Sequence, residues 1–479
     1  MKKLLILLCL GMCAFFANPL QAADGYRIGV KLEDYAEKEI YLAYHYGDKQ
    51  YIRDTVAINE EGWFVFAGEE KMESGVYLVV LPPDNSFFQV LIDEDQEFNL
   101  VASAKDPVNT IRLDGSMDNE LFYQYLHFLN DMRPKAEELR QEKEAAGENE
   151  DKKKKIQSKL DDIDQEVKAF QDNMIEKYPN SLPAAIIKAN MPIDQPEFAG
   201  DEKEVQEKRW RYMQHHYFDN LDLADPRLLR TPFLFQRVDH YVHKLHIQHP
   251  DTISLAIDYV LEKMKPAEET FKFYLIHFLN EFAKSKIVGM DAVYVHLVEE
   301  YYAKGLAPWT DEEQLEKILE NAKELKPLLI GKIAPDLNMQ TRDGASVSLH
   351  EVESPYTILY FWRYDCGHCK KSTPIMKEFY EKYKDKGVKI FAVCAKFRDE
   401  VPECWEYIDD NEIGDWLHTV DPYHRSRYGK IYSVKTTPQV YVLDHKKEIL
   451  SKRIGAEQLE EVMDRIIEMN NKEKEGSMD

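Results

Sequence analysis

Hydrophobic and polar positions change their period twice along this chain. From residue 25 to about 113 the apolar positions form short alternating runs: 26–30, 39–44, 55–58, 63–66, 76–80, 87–92 and 97–100. Turn signals such as Asn59-Glu60-Glu61-Gly62 and Pro82-Pro83-Asp84 separate them. Many short strands at this spacing predict an N-terminal antiparallel β-sandwich. From about 116 to 328 the period becomes helical, as in Leu121-Phe122, Tyr125-Leu126 and Phe128-Leu129. Ser116 or Asp118 would cap the first helix. Residues 134–178 are charge-rich and broken at Gly147-Glu148-Asn149, which predicts a solvated helical hairpin. Further helices are expected at 202–217, 228–248, 252–264, 267–282, 291–303 and 311–325.

A third regime starts at Leu329-Ile330-Gly331-Lys332-Ile333-Ala334-Pro335. A continuous apolar run, 356–362, reads as a strand covered on both faces. An amphipathic helix pattern follows over 369–383, then a second apolar run at 387–394. Strand, helix, strand is a βαβ unit with a right-handed crossover. A helix at 401–411, a short segment at 417–420, paired strands at 438–443 and 449–454, and a closing helix at 459–469 complete an α/β domain. The expected organisation is multidomain: a signal peptide at 1–23, a β-sandwich at 24–115, an all-α middle domain at 116–328, an α/β domain at 329–473 and a polar tail at 474–479.

The chemistry concentrates where the strand meets the helix, at Cys366-Gly367-His368-Cys369. Two thiols three positions apart can close a small disulfide, and one can attack a substrate disulfide while the other resolves the intermediate. Cys366 would sit at the helix N-terminus, where unpaired N–H groups and the dipole favour an anion. His368 would stabilise the thiolate further as an imidazolium. Cys369 would lie one turn in and more buried. Pro374 would bend the helix or cap off its first turn. A Cys-x-x-Cys pair is also half of a zinc site. Zinc needs a second pair of ligands, and Cys394 and Cys404 show no such spacing.

This stretch resembles the active site of the thioredoxin superfamily, within the exported TlpA/ResA-like thiol-disulfide reductases. Gly367-His368 between the cysteines resembles protein disulfide isomerase rather than thioredoxin. Thr436-Thr437-Pro438 ahead of the strand 439–443 is a second family mark; the resemblance implies a cis proline facing the cysteines. Gly331 to Leu337 resembles the opening of reductase and peroxiredoxin-type thioredoxin domains. The run around Asp54, Gly62 and Gly68 resembles a DUF4369-like β-domain, and the helical region around Gly289–His296 a DUF5106-like domain, both found ahead of thioredoxin domains in exported Bacteroidetes-type proteins. One position departs from the pattern: thioredoxins bury a carboxylate six residues before the first cysteine, and here that residue is Tyr360. Asp365 is adjacent but expected to be exposed, so the proton acceptor for Cys369 is unassigned.

Composition narrows the surroundings. The 479 residues carry a net charge of −25. Nucleic acid and anionic membrane both call for basic patches, so neither is an expected partner. Residues 1–23 combine Lys2 and Lys3, an apolar core too short to span a bilayer, and small residues before the expected cut, which reads as a secretory signal. A lipid anchor on Cys13 would need a better matching sequence before it. No later run is long enough to cross a membrane. The expected address is the periplasm or cell envelope. Few cysteines remain after the signal, too few for a disulfide scaffold. Cys394 is expected to be an inert buried thiol. Pairing it with Cys404 would require Cα atoms within about 7 Å. His240, His243, His246 and His249 recur every third residue, a step that drifts around a helix, so a polar face or an inter-domain contact is favoured over a metal or pH sensor.

These observations predict an exported thiol-disulfide oxidoreductase. Cys366 attacks, Cys369 resolves and His368 tunes the pair. Trp362, Gly367, Thr437 and Pro438 form the groove for a substrate polypeptide carrying thiols or disulfides. A membrane electron donor or acceptor of unknown identity is implied; no cofactor and no metal are expected. The reductase direction is slightly favoured by context. The Gly-His dipeptide argues the other way, since isomerase-like pairs sit near roughly −180 mV against about −270 mV for thioredoxin. Two alternatives stand beside it. One is a cell-envelope scaffold with an accessory redox domain. The other is a thiol peroxidase, against which stands Arg363 at the position where peroxiredoxins carry Thr.

Overall fold

Eight strands account for the N-terminal pattern: β1 (Tyr26–Glu33), β2 (Glu39–Tyr46), β3 (Lys49–Ala57), β4 (Phe64–Gly68), β5 (Gly75–Leu81), β6 (Ser86–Ile92), β7 (Glu97–Ser103) and β8 (Arg112–Asp114). They form two four-stranded sheets, ordered β4-β1-β7-β8 and β3-β2-β5-β6. All pairs are antiparallel except β1 with β7, which run parallel. Alternate residues of both sheets meet in one core: Ile28, Val30, Phe64, Phe66, Phe98 and Leu100 from the first, Ile40, Leu42, Val79, Phe88 and Val90 from the second. Each large side chain so buried contributes about 2–3 kcal/mol. The outer strand β3 is exposed along most of its length, and Lys49, Arg53 and Asp54 there discourage pairing with another edge.

The structure is a computed structural model that describes residues 25–476. The signal-like segment 1–23, with Cys13, lies outside the described residues. Two units divide at Val238/Asp239. In the first, the predicted hairpin is present as the helices Met117–Ala145 and Glu150–Lys177, whose N-termini are capped by Ser116 and Asn149. Phe128 and Phe170 stack between them at 4.1 Å. Buried Asn119 accepts the Leu91 N–H at 2.8 Å and donates to the Leu91 carbonyl at 2.7 Å, which ties the first helix to β6.

The second unit begins with helices, among them Pro250–Met264, Glu268–Lys284, Asp291–Leu297 and Glu312–Leu325. The expected helix 291–303 passes into a π-turn at Val298–Tyr302. The expected helix 228–248 is two pieces, Pro226–Arg230 and Leu234–Lys244, parted at Thr231-Pro232 because a proline disfavours helical backbone before it. The histidine series therefore runs off a helix end. His243 pairs with Glu281 at 3.1 Å, and no group of three metal-ligating side chains occurs among the described residues.

The sheet of this unit has seven strands: β9 (Asn338–Gln340), β10 (Ser346–Ser348), β11 (Tyr356–Trp362), β12 (Val388–Cys394), β13 (Leu417–Val420), β14 (Gln439–Asp444) and β15 (Ile449–Lys452), in the order β10-β9-β13-β12-β11-β14-β15. β11 is an interior strand, parallel to β12 and antiparallel to β14. Its side chains alternate between two cores, Ile358, Tyr360 and Trp362 on one face and Leu359 and Phe361 on the other. The crossover helix Gly367–Tyr383 returns through Gly387, whose φ of +86° ends the helical turns. A Cβ there would lie 2.5 Å from Pro355. Buried Lys452 of β15 pairs with Asp291 at 2.5 Å and donates to the Leu328 carbonyl at 2.6 Å, which fixes the preceding helices against the sheet edge. The closing helix runs Ala456–Gly476, beyond the predicted 459–469 and into the segment expected as a polar tail. The chain is therefore multidomain, with an N-terminal β-sandwich, a helical middle and a C-terminal α/β sheet domain.

Candidate active site

The end of β11 delivers the chain into Arg363-Tyr364-Asp365 and then Cys366, the N-cap of the helix Gly367–Tyr383. Cys366 keeps an extended backbone while its sulfur takes the place a capping oxygen usually fills. Its Sγ accepts the Cys369 N–H at 3.3 Å, and its thiol donates to the Thr437 carbonyl at 3.2 Å. Burial pushes the Cys366 thiol up, but hydrogen bonds from the Cys369 thiol, the Cys369 N–H, the Thr437 side chain and, last, the His368 N–H outweigh it, so the thiol sits below its ordinary value. Cys369 lies one turn in and is 1% exposed. Burial first, then its contact with Cys366, pushes its thiol up to about 12. Both cysteines are free thiols, one half-exposed and one buried.

The residues around them are placed unevenly relative to expectation. The Thr437–Pro438 bond is cis, and Thr437 lies against Cys366. Gly367 is open, since a Cβ there would meet nothing within 4 Å. The His368 side chain is exposed; it is the backbone N–H of this residue that acts on the sulfur. Trp362 does not line a groove. It is 1% exposed, because its face of β11 is covered by the helix Val401–Asp410, and its ring lies 5.4 Å from Tyr407 and 6.1 Å from His418. Pro374 lies inside the helix, which continues to Tyr383, so it does not cap off the first turn.

Asp365 is held in place by cations. It accepts both Arg363 donors, at 3.0 and 2.8 Å, and buried Lys396 at 2.9 Å. The Arg363 hydrogen bond leads in lowering its pKa to about 2, so it stays ionised and is a poor proton acceptor for Cys369. Lys396 also pairs with Glu400. Tyr360, which stands where thioredoxins bury a carboxylate, is itself buried. Its hydroxyl, the Trp362 Nε1 and the His418 Nδ1 have no hydrogen-bond partner among the described residues. Burial holds the Tyr360 phenol well above its ordinary value and pushes His418 down to about 4, so His418 is neutral. Two further residues brace the helix: Thr373 donates to the Cys369 carbonyl at 2.9 Å, and Tyr407 donates to Thr373 at 3.1 Å.

Cys394 is not the inert thiol expected. It forms a disulfide with Cys404 across a Cα–Cα distance of 6.4 Å. Cys394 ends β12 directly beside Trp362 of β11, and Cys404 lies in the helix Val401–Asp410. The distance criterion was stated by the sequence; the fold meets it. Lys396 carried no signal of its own, because nothing in a lone lysine after a strand announces a carboxylate partner.

The helical residues of this unit also reach the proline loop. A cleft of about 520 Å³ runs between Tyr294 and Asn321 on one side and Pro438 and Arg453 on the other.

A thiol-disulfide oxidoreductase ResA of Bacillus cereus is 31% identical over 148 residues, which are 29% of this chain and 78% of that protein. The chain belongs to the ResA family of thiol-disulfide oxidoreductases. A second ResA, from Bacillus thuringiensis, is 30% identical over 146 residues and 78% of its length. Family models match in three stretches of the chain: a domain of unknown function (DUF4369) at 26–122, another (DUF5106) at 147–326, and the AhpC/TSA family at 330–452, which holds the active-site cysteines. Among solved structures, a domain of a possible thiol-disulfide isomerase from Cytophaga hutchinsonii is 36% identical, covers 30% of this chain and 98% of that one, and has a TM-score of 0.29. A thioredoxin-like protein from Bacteroides caccae is 18% identical, covers 57% and 99%, and has a TM-score of 0.44. A ResA-family chain is an enzyme of thiol-disulfide exchange, with protein thiols and disulfides as the class of substrate.

Proposed function

We propose that this protein is exported and reduces disulfides in client polypeptides, with Cys366 as nucleophile and Cys369 as resolving thiol. The observation that carries this reading is the asymmetry of the pair: a lowered, accessible thiol at a helix N-terminus above a buried, raised one. The Cys366 thiolate attacks one client sulfur, and the other leaves as a thiolate that takes up a proton. The resulting mixed disulfide carries no charge on Cys366, which removes one of the causes that keep Cys369 protonated. Cys369 then loses its proton and attacks the Cys366 sulfur. The mixed disulfide breaks, the client leaves with its second thiol, and the chain keeps a Cys366–Cys369 disulfide, two electrons poorer. A membrane-held dithiol donor would restore it.

The other expected site residues, Trp362 excepted, are assigned around this step. Gly367, Thr437 and Pro438 form the groove, and once Cys366 is bonded to a client its thiol no longer donates to the Thr437 carbonyl, which can then pair with an extended client strand. His368 helps through its N–H. Export is supported by the Cys394–Cys404 disulfide, since such bonds persist in oxidising compartments. No helix among the described residues is long and apolar enough to cross a membrane. The division into 24–115, 116–328 and 329–473 belongs to this reading, with the last part carrying the chemistry.

Two measurements test it. Insulin should be reduced by the wild type and not by Cys366→Ser; equal activity in both would favour a scaffold role. The equilibrium with glutathione should give a potential below about −250 mV, whereas a value near −180 mV would make the protein an isomerase or oxidant. A peroxidase reading draws on the AhpC/TSA match. Arg363, tied to Asp365, occupies the position that reading needs for Thr, so peroxide consumption should not exceed that of a free thiol.

A further inference from the structure

Beside the attacking sulfur lies a groove of about 450 Å³ whose walls beyond Thr437 have no part in the exchange steps. One end is Thr437, whose carbonyl accepts from Cys366. Its walls carry Arg363, Arg427, Lys430 and Lys435, with Phe397 between them. In a chain of net charge −25, four cations around one concavity reverse the prevailing sign. Their pairing states differ. Arg363 is held by Asp365 at 2.8 Å, and Lys430 faces Glu320 and Glu324 at the long distances of 3.6 and 4.0 Å. Arg427 and Lys435 are exposed and have no carboxylate within ion-pair distance among the described residues.

The loop that carries Arg427 is built rather than loose. The buried carboxylate of Asp421 accepts the N–H groups of Arg425 and Ser426, at 2.9 and 2.8 Å, and the Ser426 hydroxyl at 2.6 Å. Arg427 itself is held at φ +54°, a conformation that L side chains rarely adopt and that persists only where the surroundings impose it. The backbone that presents Arg427 is thus held in place before any ligand arrives, which lowers the cost of binding.

We propose that this groove is a client-recognition subsite that takes acidic polypeptide segments. Carboxylates flanking a client cysteine pair with Arg427 and Lys435 while that cysteine is joined to Cys366. The inference rests on the reading that Cys366 attacks client disulfides, and it adds which clients are favoured. Cations lining a concave wall raise the encounter rate of oppositely charged partners and set their orientation.

The test uses the reduced full-length protein and two fluorescence-quenched disulfide peptides of one sequence, flanked by Asp in one and Lys in the other. The second-order rate of reduction should favour the acidic peptide by about tenfold at low salt, and the ratio should fall towards one at about 0.5 M NaCl. In Arg427→Glu/Lys435→Glu the ratio should drop below one. Because the ratio is internal to each protein, a partly misfolded variant lowers both rates and leaves it unchanged. The wild-type salt dependence stands even if the variant cannot be made. A wild-type ratio at or below one, or a ratio unmoved by the double substitution in a folded protein, overturns the subsite. If the wild type reduces neither peptide, the functional reading falls and the subsite falls with it.

Discussion

Two cysteine pairs lie within one domain and share almost nothing except the element. Cys366 and Cys369 straddle the first turn of a helix, one half-exposed and one buried, with their thiols pushed in opposite directions. Cys394 and Cys404 join the end of a strand to a helix, are 1% and 0% exposed, and are bonded to each other. The first pair is placed to exchange bonds, because one sulfur meets solvent at the positive end of a helix. The second is shut away from any attacking thiolate and acts as a staple. It anchors the helix Val401–Asp410, which covers Trp362 and supplies Tyr407 to brace Thr373 behind Cys369. Position relative to a helix N-terminus and to solvent, rather than the presence of two sulfurs, separates reactivity from support.

The contrast within the active pair should give the largest measurable effect. The thiolate is the reactive form, so a depressed pKa keeps Cys366 reactive to lower pH, and a raised one keeps Cys369 inert until high pH. Alkylation of the reduced protein with iodoacetamide, followed by peptide mass spectrometry, should show a single inflection for Cys366 below the ordinary thiol value of about 8.5. Cys369, pushed up to about 12, should react at least roughly 10³-fold more slowly at neutral pH. Equal rates for the two would erase the asymmetry on which the assignment of attacker and resolver depends.

The second pair should register in stability instead. Cys394→Ala/Cys404→Ala opens a short loop, for which chain-entropy bookkeeping gives a loss of about 2–3 kcal/mol in denaturant unfolding. Alkylation of Cys366 in this variant should keep its pH profile. A shifted profile would mean that the staple tunes the active pair through Trp362 and Tyr407 rather than only holding the helix.

Much of this domain was legible from pattern. The run Tyr356–Trp362 reads as a doubly covered strand, and the following period of 3.6 reads as its crossover helix. Trp362, expected in the groove, is instead buried beneath the helix Val401–Asp410, a helix whose place over this face depends on the fold rather than on the local run. The split at Thr231-Pro232 was legible in the proline. Other features depended on distance. Nothing local in the sequence brings Cys394 within 6.4 Å of Cys404, places Lys396 against Asp365, or gathers Arg427 and Lys435 beside Thr437. The parallel pairing of β1 with β7 is likewise set by the return of the chain across the sandwich, which residue alternation does not encode.

The smallest effect concerns Tyr360, where this chain departs from the thioredoxin pattern. Its ring packs in the same core as Cys369, but its hydroxyl is buried without a hydrogen-bond partner among the described residues. Leaving such a group unpaired costs on the order of 1–3 kcal/mol, while the ring keeps its packing in either residue. Tyr360→Phe should therefore raise stability by about 1 kcal/mol in urea unfolding. It should leave unchanged the rate at which a mixed disulfide on Cys366 resolves, measured by single-turnover release of a labelled peptide. The opposite outcome, lower stability together with slower release, would show that the hydroxyl handles the Cys369 proton. The raised phenol makes that role unfavourable, because a group held protonated well above neutral pH cannot take up a proton from a buried thiol.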